Sequence, residues 1–310
     1  GGKLPLMVTA TCEFARYDNP TFTSAGEWAL LNPRGGAVAL MTTTRVTFTN
    51  FNFSLSTRIY RDELFTKVAG KYQTLGEVFM RAANPELSNV NTRSFCLLGD
   101  PALTLAFPEE NAAVTHINNV QISAIPDTIR ALAKVRISGE MRDAVTQQKL
   151  SGFNGILTPT VLDKPSSITT LANDVNSFAR NYDEFRNIIY RGRATINNGD
   201  WSFQFIVPRD IAYNFGLGRI NLYATNQQTD AAGDFRQVIV GGTDTNFVPD
   251  NLGPQLTLFM NDRSFVNGGI TDQNPVFVAQ LMDSSGINTV GSGIGRDITL
   301  VRNNEVNSPI

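Results

Sequence analysis

The chain has 310 residues, 42% of them hydrophobic and 17% charged, enough apolar material for two or three buried cores at roughly 100–200 residues per domain. Lys and Arg total 26 against 28 Asp and Glu, a formal net charge of −2 with the signs interspersed, so no basic stripe is present and nucleic acid is not an expected partner. Two cysteines and one histidine fall short of a disulfide framework and of a structural zinc shell, so neither metal nor cofactor is expected. No apolar run reaches the ~18 residues of a membrane helix, and no signal peptide is legible. The opening Gly1-Gly2 is not expected to be the native start.

The first hundred residues read as strands alternating with helices. Residues 4–11 form a continuous apolar, β-branched run. Ser24-Ala25-Gly26-Glu27 is a capping box that opens a short helix through Trp28, Leu30 and Leu31. Residues 35–41 predict a second strand buried on both faces, and residues 54–68 a helix. Thr74-Leu75-Gly76-Glu77 is another capping box, followed by Leu75, Val78, Phe79, Ala82 and Ala83 at helical spacing. A third strand, residues 94–98, ends in Gly99-Asp100-Pro101. Continuous apolar strands between capped helices predict a parallel sheet covered on both faces.

After Pro108 the hydrophobic period changes to two. Ala133, Val135 and Ile137 alternate with Lys134, Arg136 and Ser138, and Trp201, Phe203, Phe205 and Val207 alternate with Ser202, Gln204 and Ile206. Ile220 and Leu222 continue the pattern, Asn197-Asn198-Gly199-Asp200 marks a hairpin turn and Gly241-Gly242 another. These features predict a β-sandwich. A Pro/Asp/Asn/Gly linker at residues 249–254 precedes further strands at 255–260, 276–282 and 297–301. Three short strands make a poor core of their own, so the chain is expected to stop inside a further β-domain.

Ligands of an open parallel sheet bind beyond the carboxyl ends of its strands, where Cys12 is expected to stand. A nucleophilic cysteine needs a neighbouring cation, base or helix N-terminus, and Arg16, Arg45 and the helix opening near Ser24 are the candidates. From spacing alone Cys12 reads either as a nucleophile or as a structural thiol, since free cysteine is among the most buried residue types. Cys96, between Phe95 and Leu97, reads as core. Glu13 either orients a substrate amine or is a solvated loop residue, and Asp100 reads as a turn residue bonded to its own backbone. His116 reads as a structural histidine and is not assigned as a base. Asp283-Ser284-Ser285-Gly286 with Asp297 offers oxygen ligands at too low a density for calcium, and Gly291-Ser292-Gly293-Ile294-Gly295 reads as a turn rather than a phosphate loop.

Three stretches carry a resemblance: Thr9-Ala10-Thr11-Cys12-Glu13-Phe14-Ala15-Arg16-Tyr17-Asp18-Asn19-Pro20, then Arg34-Gly35-Gly36-Ala37-Val38-Ala39-Leu40-Met41-Thr42-Thr43-Thr44-Arg45, then Leu97-Leu98-Gly99-Asp100-Pro101-Ala102-Leu103. In this order they resemble the closing part of a gingipain-family cysteine peptidase domain, and more narrowly the cell-surface sortases of the Bacteroidetes type IX secretion system. Phe153-Asn154-Gly155, Asp163-Lys164-Pro165-Ser166, Phe205-Ile206-Val207-Pro208-Arg209-Asp210-Ile211 and Gly286-Ile287-Asn288-Thr289-Val290-Gly291 are similar to the parts of those sortases beyond the catalytic domain. The resemblance implies a caspase-like domain with Cys12 as nucleophile and a histidine from an earlier strand as its base. None of the eleven residues before Cys12 is histidine, so the base is expected upstream of Gly1 and this segment alone is expected to be inactive.

The resulting expectation is an α/β plus all-β chain. Residues 1–108 form the C-terminal part of a caspase-like parallel α/β domain, 109–250 an immunoglobulin-like β-sandwich, and 251–310 the start of a further β-sandwich. The resemblance implies removal of C-terminal secretion signals from cargo proteins and attachment of the cargo to surface lipopolysaccharide. It also implies outer-membrane secretion components as partners and a place at the cell surface, associated with the outer membrane. Two other readings stand beside it: a non-catalytic β-sandwich binding module, and a gingipain-like secreted protease.

Overall fold

A computed structural model describes residues 4–122, 127–247, 252–283, 287, 300–302 and 305–307. The chain divides into two compact units, Gly1–Phe107 and Pro108–Ile310.

The first unit holds a three-stranded sheet with Ala39–Thr43 at its centre, flanked by Leu6–Val8 and Phe95–Leu98. All five residues of the central strand are buried, as a strand covered on both faces requires. Leu6–Val8 runs parallel to it, pairing Leu6 with Ala39 and Val8 with Met41, and is only half-buried because it lies at the sheet edge. The sheet is not all parallel as expected: Phe95–Leu98 is antiparallel to the central strand, with Leu40 opposite Leu98 and Thr43 opposite Phe95. The cause is the short helix Val90–Arg93, which feeds the chain in beside the carboxyl end of the central strand. There Thr44 donates to the Ser94 carbonyl through both its N–H (2.8 Å) and its hydroxyl (3.1 Å), so the strand that follows must run back.

Both capping boxes form. Ser24 and Glu27 close the N-terminus of helix Ala25–Leu31, and Thr74 and Glu77 that of helix Leu75–Ala83. The expected helix at 54–68 instead starts earlier, at Thr49, runs as an α-helix to Thr57, and widens to a π-helical turn over Arg58–Glu63. Lys67–Val68 and Lys71–Tyr72 then pair as a small hairpin, which ends any helix there. Leu55, Ile59, Leu75 and Val78 pack with Ala39, Met41 and Phe95 into one core.

Among its described residues the second unit has strands and loops but no helix. Where a sandwich of open sheets was expected, the pairing closes a ring of seven strands. It runs Gly155–Leu162, Ala194–Asn197, Asp200–Ile206, Lys134–Arg142, Glu110–Ile117, Asp230–Phe235, Arg219–Thr225 and back to Gly155–Leu162. Period-two alternation gives each strand one buried face, but alternation does not state which strands pair, and closure depends on a strand with two partnered edges. Gly155–Leu162 is that strand. One edge pairs with Arg219–Thr225 along its length, from Ile156 opposite Thr225 to Leu162 opposite Arg219. Its other edge pairs first with Ala194–Asn197 and then with Ile188–Arg191, and the switch falls around Pro159, which has no N–H to give to a ladder.

Inside the ring, Trp201, Phe203 and Phe205 join Leu157, Val161, Ile137 and Ile220 in a second core. The Trp201 indole lies against Gly139, where a Cβ would stand 2.4 Å from it. Gly216–Leu217, Val238–Thr243 and Asp127–Ala131 form a separate three-stranded sheet whose Ile129, Val238 and Val240 are buried in the same core, and Ser166–Thr169 pairs with Asn181–Glu184 as an exposed ribbon. Two hairpins follow, Gln255–Met260 with Phe277–Met282 and Leu300–Arg302 with Glu305–Asn307. Among the described residues no helix is long and apolar enough to cross a membrane.

A candidate active site at Cys12

Beyond Val8 the parallel ladder continues for one more bond, from the Thr9 N–H to the Met41 carbonyl at 3.0 Å, while the Thr9 hydroxyl reaches the Thr42 hydroxyl at 2.7 Å. The chain then leaves the sheet in a turn that carries Cys12, and the end of the central strand holds that turn. The Thr43 hydroxyl donates to the Thr11 carbonyl at 2.5 Å, and the Thr47 hydroxyl approaches the same oxygen at 3.5 Å. The Ala15 N–H returns to the Thr43 carbonyl at 2.9 Å, and Ala15 is fully buried. From the other side, the Gly26 N–H donates to the Phe14 carbonyl at 2.8 Å.

Cys12 itself is exposed, and its Sγ lies 3.4 Å from the Thr47 carbonyl oxygen, to which the thiol donates. The next residue, Glu13, has a φ of 53°, in the left-handed region that non-glycine residues seldom occupy. Such a conformation persists where surrounding contacts impose it, and here the bonds at Thr11, Phe14 and Ala15 bracket it.

The two arginines expected to support a thiolate are both engaged by carboxylates. Arg16 pairs with Glu13 at 3.1 Å, and the Arg45 guanidinium grips Asp18 through two nitrogens. The hydrogen bond from Arg45 holds the Asp18 carboxyl below the usual carboxylate range. Glu13 thus pairs with Arg16 while both side chains stay partly in solvent, 36% and 41% exposed. Asp100 is a turn residue, accepting from the Ala102 N–H at 2.9 Å. Cys96 is half-buried rather than core, and burial pushes its thiol up.

His116 belongs to the second unit. It pairs within the ladder opposite Ser138 and Gln121, and its Nδ1 lies 3.0 Å from the Thr115 hydroxyl. Of the residues considered for calcium, 284–286 and 297 lie outside the described residues, as do all of 291–295. Among the described residues no group of three or more His, Cys, Asp or Glu side chains is placed to hold a metal.

Sequence reasoning missed the threonines. Thr42, Thr43 and Thr47 are all buried, and two of them fix the carbonyl that precedes Cys12. The signal was the run Thr42-Thr43-Thr44 closing an apolar strand, a place where hydroxyls serve as local backbone partners.

Residues 1–106 match Peptidase family C25. No curated protein matches the chain. Among solved structures, dimeric latent PorU from Porphyromonas gingivalis is 30% identical over 79% of this chain and 24% of that one, with a TM-score of 0.50. The chain thus spans about a quarter of that relative's length. A complex of the pro- and mature domains of Porphyromonas gingivalis RgpB is 12% identical over 76% of this chain and 46% of that one, with a TM-score of 0.32. The Arg-specific cysteine proteinase gingipain R is 13% identical over 76% and 45%, with a TM-score of 0.28. The family match and the likeness to PorU support a function related to cysteine peptidases.

Proposed function

We propose that the chain carries the nucleophile of a cysteine endopeptidase and transpeptidase of the sortase kind. In this reading the enzyme removes C-terminal secretion signals from type IX cargo and attaches the cargo to surface lipopolysaccharide. The observation that supports it is Cys12, an exposed thiol on a turn tied to the sheet through Thr43 and Thr47, within the stretch that matches the peptidase family.

The chemistry follows from the thiol. The Cys12 Sγ, having given its proton to a base, attacks the scissile carbonyl. The S–C bond forms, the carbonyl electrons move to an oxyanion held by neighbouring backbone N–H groups, and collapse expels the signal's amine with a proton. An amine of the lipopolysaccharide then attacks the thioester, the new C–N bond forms, and the thiol is released. Water in place of that amine gives plain proteolysis, the gingipain-like alternative.

The partners that go with this reading are cargo with C-terminal signal domains, surface lipopolysaccharide and outer-membrane secretion components, at the cell surface in association with the outer membrane. His116, held in a strand ladder of the second unit, is not assigned as the base.

The test is acyl transfer from a peptide thioester, which needs only a competent thiolate and an oriented site. With imidazole supplied in place of the missing base, the chain should acylate at Cys12 faster than a free peptide of residues 9–20 under the same conditions, and Cys12→Ala should abolish the adduct. An acylation rate equal to that of the free peptide overturns the reading.

A further inference from the structure

The second unit carries a pocket of about 440 Å³, within the size range of ligand sites, that has no part in the chemistry of Cys12. Phe185, Phe215 and Leu217 line it together, all three open to solvent. Each wall is held by a contact. A Cβ at Gly242 would stand 2.9 Å from the Phe215 ring, and the Arg219 guanidinium lies 6.0 Å from the centroid of Phe185. The Lys164 stem is a further wall and packs so close to Gly216 that a Cβ there would stand 2.9 Å from its Cδ. The Lys164 ammonium is taken up by Asp163 and the Ala212 carbonyl, so the pocket meets its methylenes rather than its charge.

Charge beside these apolar walls is unbalanced. Arg219 and Arg236 each donate through Nε to one oxygen of the same carboxylate, Asp234, both at 2.7 Å. Burial opposes ionisation of Asp234, but the bonds from the two arginines prevail and hold its carboxyl below the usual carboxylate range. Two guanidinium groups therefore face a single negative charge. Arg236 lines the pocket, and among the described residues no Asp or Glu does. A guanidinium that uses Nε on one carboxylate has further donors for a second.

Backbone supplies the third element. Gly216–Leu217, part of the same wall, is the edge strand of its three-stranded sheet. An edge strand offers main-chain groups to an added extended chain. Apolar walls, an excess cation and a strand edge in one place match the end of a polypeptide better than its middle.

We propose that this pocket binds the C-terminal residue of a peptide, its aromatic or branched aliphatic side chain seated among Phe185, Phe215 and Leu217 and its α-carboxylate on Arg236. The site stands whether or not Cys12 is a nucleophile.

The experiment titrates the full chain by calorimetry with acetyl-Gly-Ser-Gly-Phe, the same peptide ending in Leu, Lys or Asp, the C-terminal amide of the Phe peptide, and 3-phenylpropionate. The Phe and Leu peptides should bind about ten-fold or more tightly than the Lys and Asp peptides. The amide should bind about ten-fold more weakly than its acid, the loss of one charge-assisted hydrogen bond. Arg236→Gln should bring the acid down to the affinity of the amide and leave the amide unmoved. Phe215→Ser should weaken the Phe peptide about ten-fold, while Phe215→Leu should retain most of the binding. Both side chains are largely exposed, so the fold should tolerate these changes. Equal binding of acid and amide, no preference for Phe and Leu, or affinity unmoved in either Arg236→Gln or Phe215→Ser overturns the inference. So does the absence of saturable binding at millimolar peptide. Binding of 3-phenylpropionate as tight as that of the Phe peptide would assign the pocket to free aromatic acids and overturn the peptide terminus as its ligand.

Discussion

Gly26 and Ala15 meet so closely that a Cβ at Gly26 would stand 2.5 Å from the Ala15 Cβ and 3.0 Å from its Cα. This contact joins the first turn of helix Ala25–Leu31 to the loop that carries Cys12, and Ala15 is fully buried in it. Backbone and methyl cannot yield as the end of a long side chain can. Gly26→Ala should therefore cost about 1–3 kcal/mol, in the range of overpacking. It should also lower the rate at which peptide thioesters acylate Cys12, because the loop has to move. Denaturant unfolding measures the first effect and acylation kinetics the second, and an unchanged midpoint would contradict the packing argument.

Asp18 and Arg45 supply a second fastening of the same loop, one that depends on pH. The hydrogen bond from Arg45 depresses the folded-state pKa of Asp18 below its unfolded value of about 3.9. The contribution to stability is thus fully present above that pH and is lost as pH falls through the folded value. Asp18→Asn should lower the melting temperature at pH 7, and the gap between variant and parent should close as pH is taken from about 5 to 2. Both groups are exposed, so added salt should narrow the gap as well. A gap that persists at the lowest pH would assign the role of Asp18 to something other than its charge.

Much of the first unit was legible because its signals are local. The boxes Ser24/Glu27 and Thr74/Glu77 predict helix starts from four residues each, and both form. The direction of Phe95–Leu98 was not legible, since a continuous apolar strand reads the same in either direction and the deciding bond, Thr44 to Ser94, spans fifty residues. In the second unit the alternation at 201–207 shows which side chains face inward. It is silent on partners, and closure of the ring rests on Gly155–Leu162 pairing on both edges. At the candidate site, the position of Cys12 in a turn after the first strand could be read, whereas the engagement of Arg16 and Arg45 could not. Long charged side chains choose partners by tertiary geometry, which leaves no periodic trace.

Closure of the ring can be tested at Leu157. It is fully buried and stands opposite Ala194 on one side and Ala224 on the other. Leu157→Ala should cost about 2–5 kcal/mol, the range for a leucine cavity in a close-packed core. Its neighbour Ile156 is 39% exposed, and Ile156→Ala should cost clearly less. Equal losses in chemical denaturation would mean that the two faces of this strand are not inside and outside a closed core.

Asp163 and Lys164 form an ion pair with side chains only 1% and 8% exposed, the ammonium 2.9 Å from Oδ1 and 2.6 Å from the Ala212 carbonyl. Removing one partner leaves a buried charge unpaired, so Lys164→Met should destabilise by about 3–5 kcal/mol. Replacing both with apolar residues of similar volume removes the desolvation cost of each charge, so Asp163→Leu combined with Lys164→Met should recover a large part of that loss. Additive losses in the double variant would show that the pair is not coupled.

The two thiols should separate cleanly in their reaction with iodoacetamide. Alkylation requires thiolate and access together. Cys12 is exposed on its turn, whereas Cys96 is half-buried in the strand opposite Thr42, where burial pushes its thiol up. At neutral pH Cys12 should be modified first, with Cys96 following only as pH rises or as denaturant opens the sheet. Peptide mapping after timed quenching gives both rates in one experiment. Because Leu6–Val8 and Phe95–Leu98 flank the same central strand, modification of Cys96 also reports opening of that sheet, and Gly26→Ala should leave it slow in the absence of denaturant. Equal rates at the two cysteines in the folded chain would mean that Cys96 is not protected by the sheet.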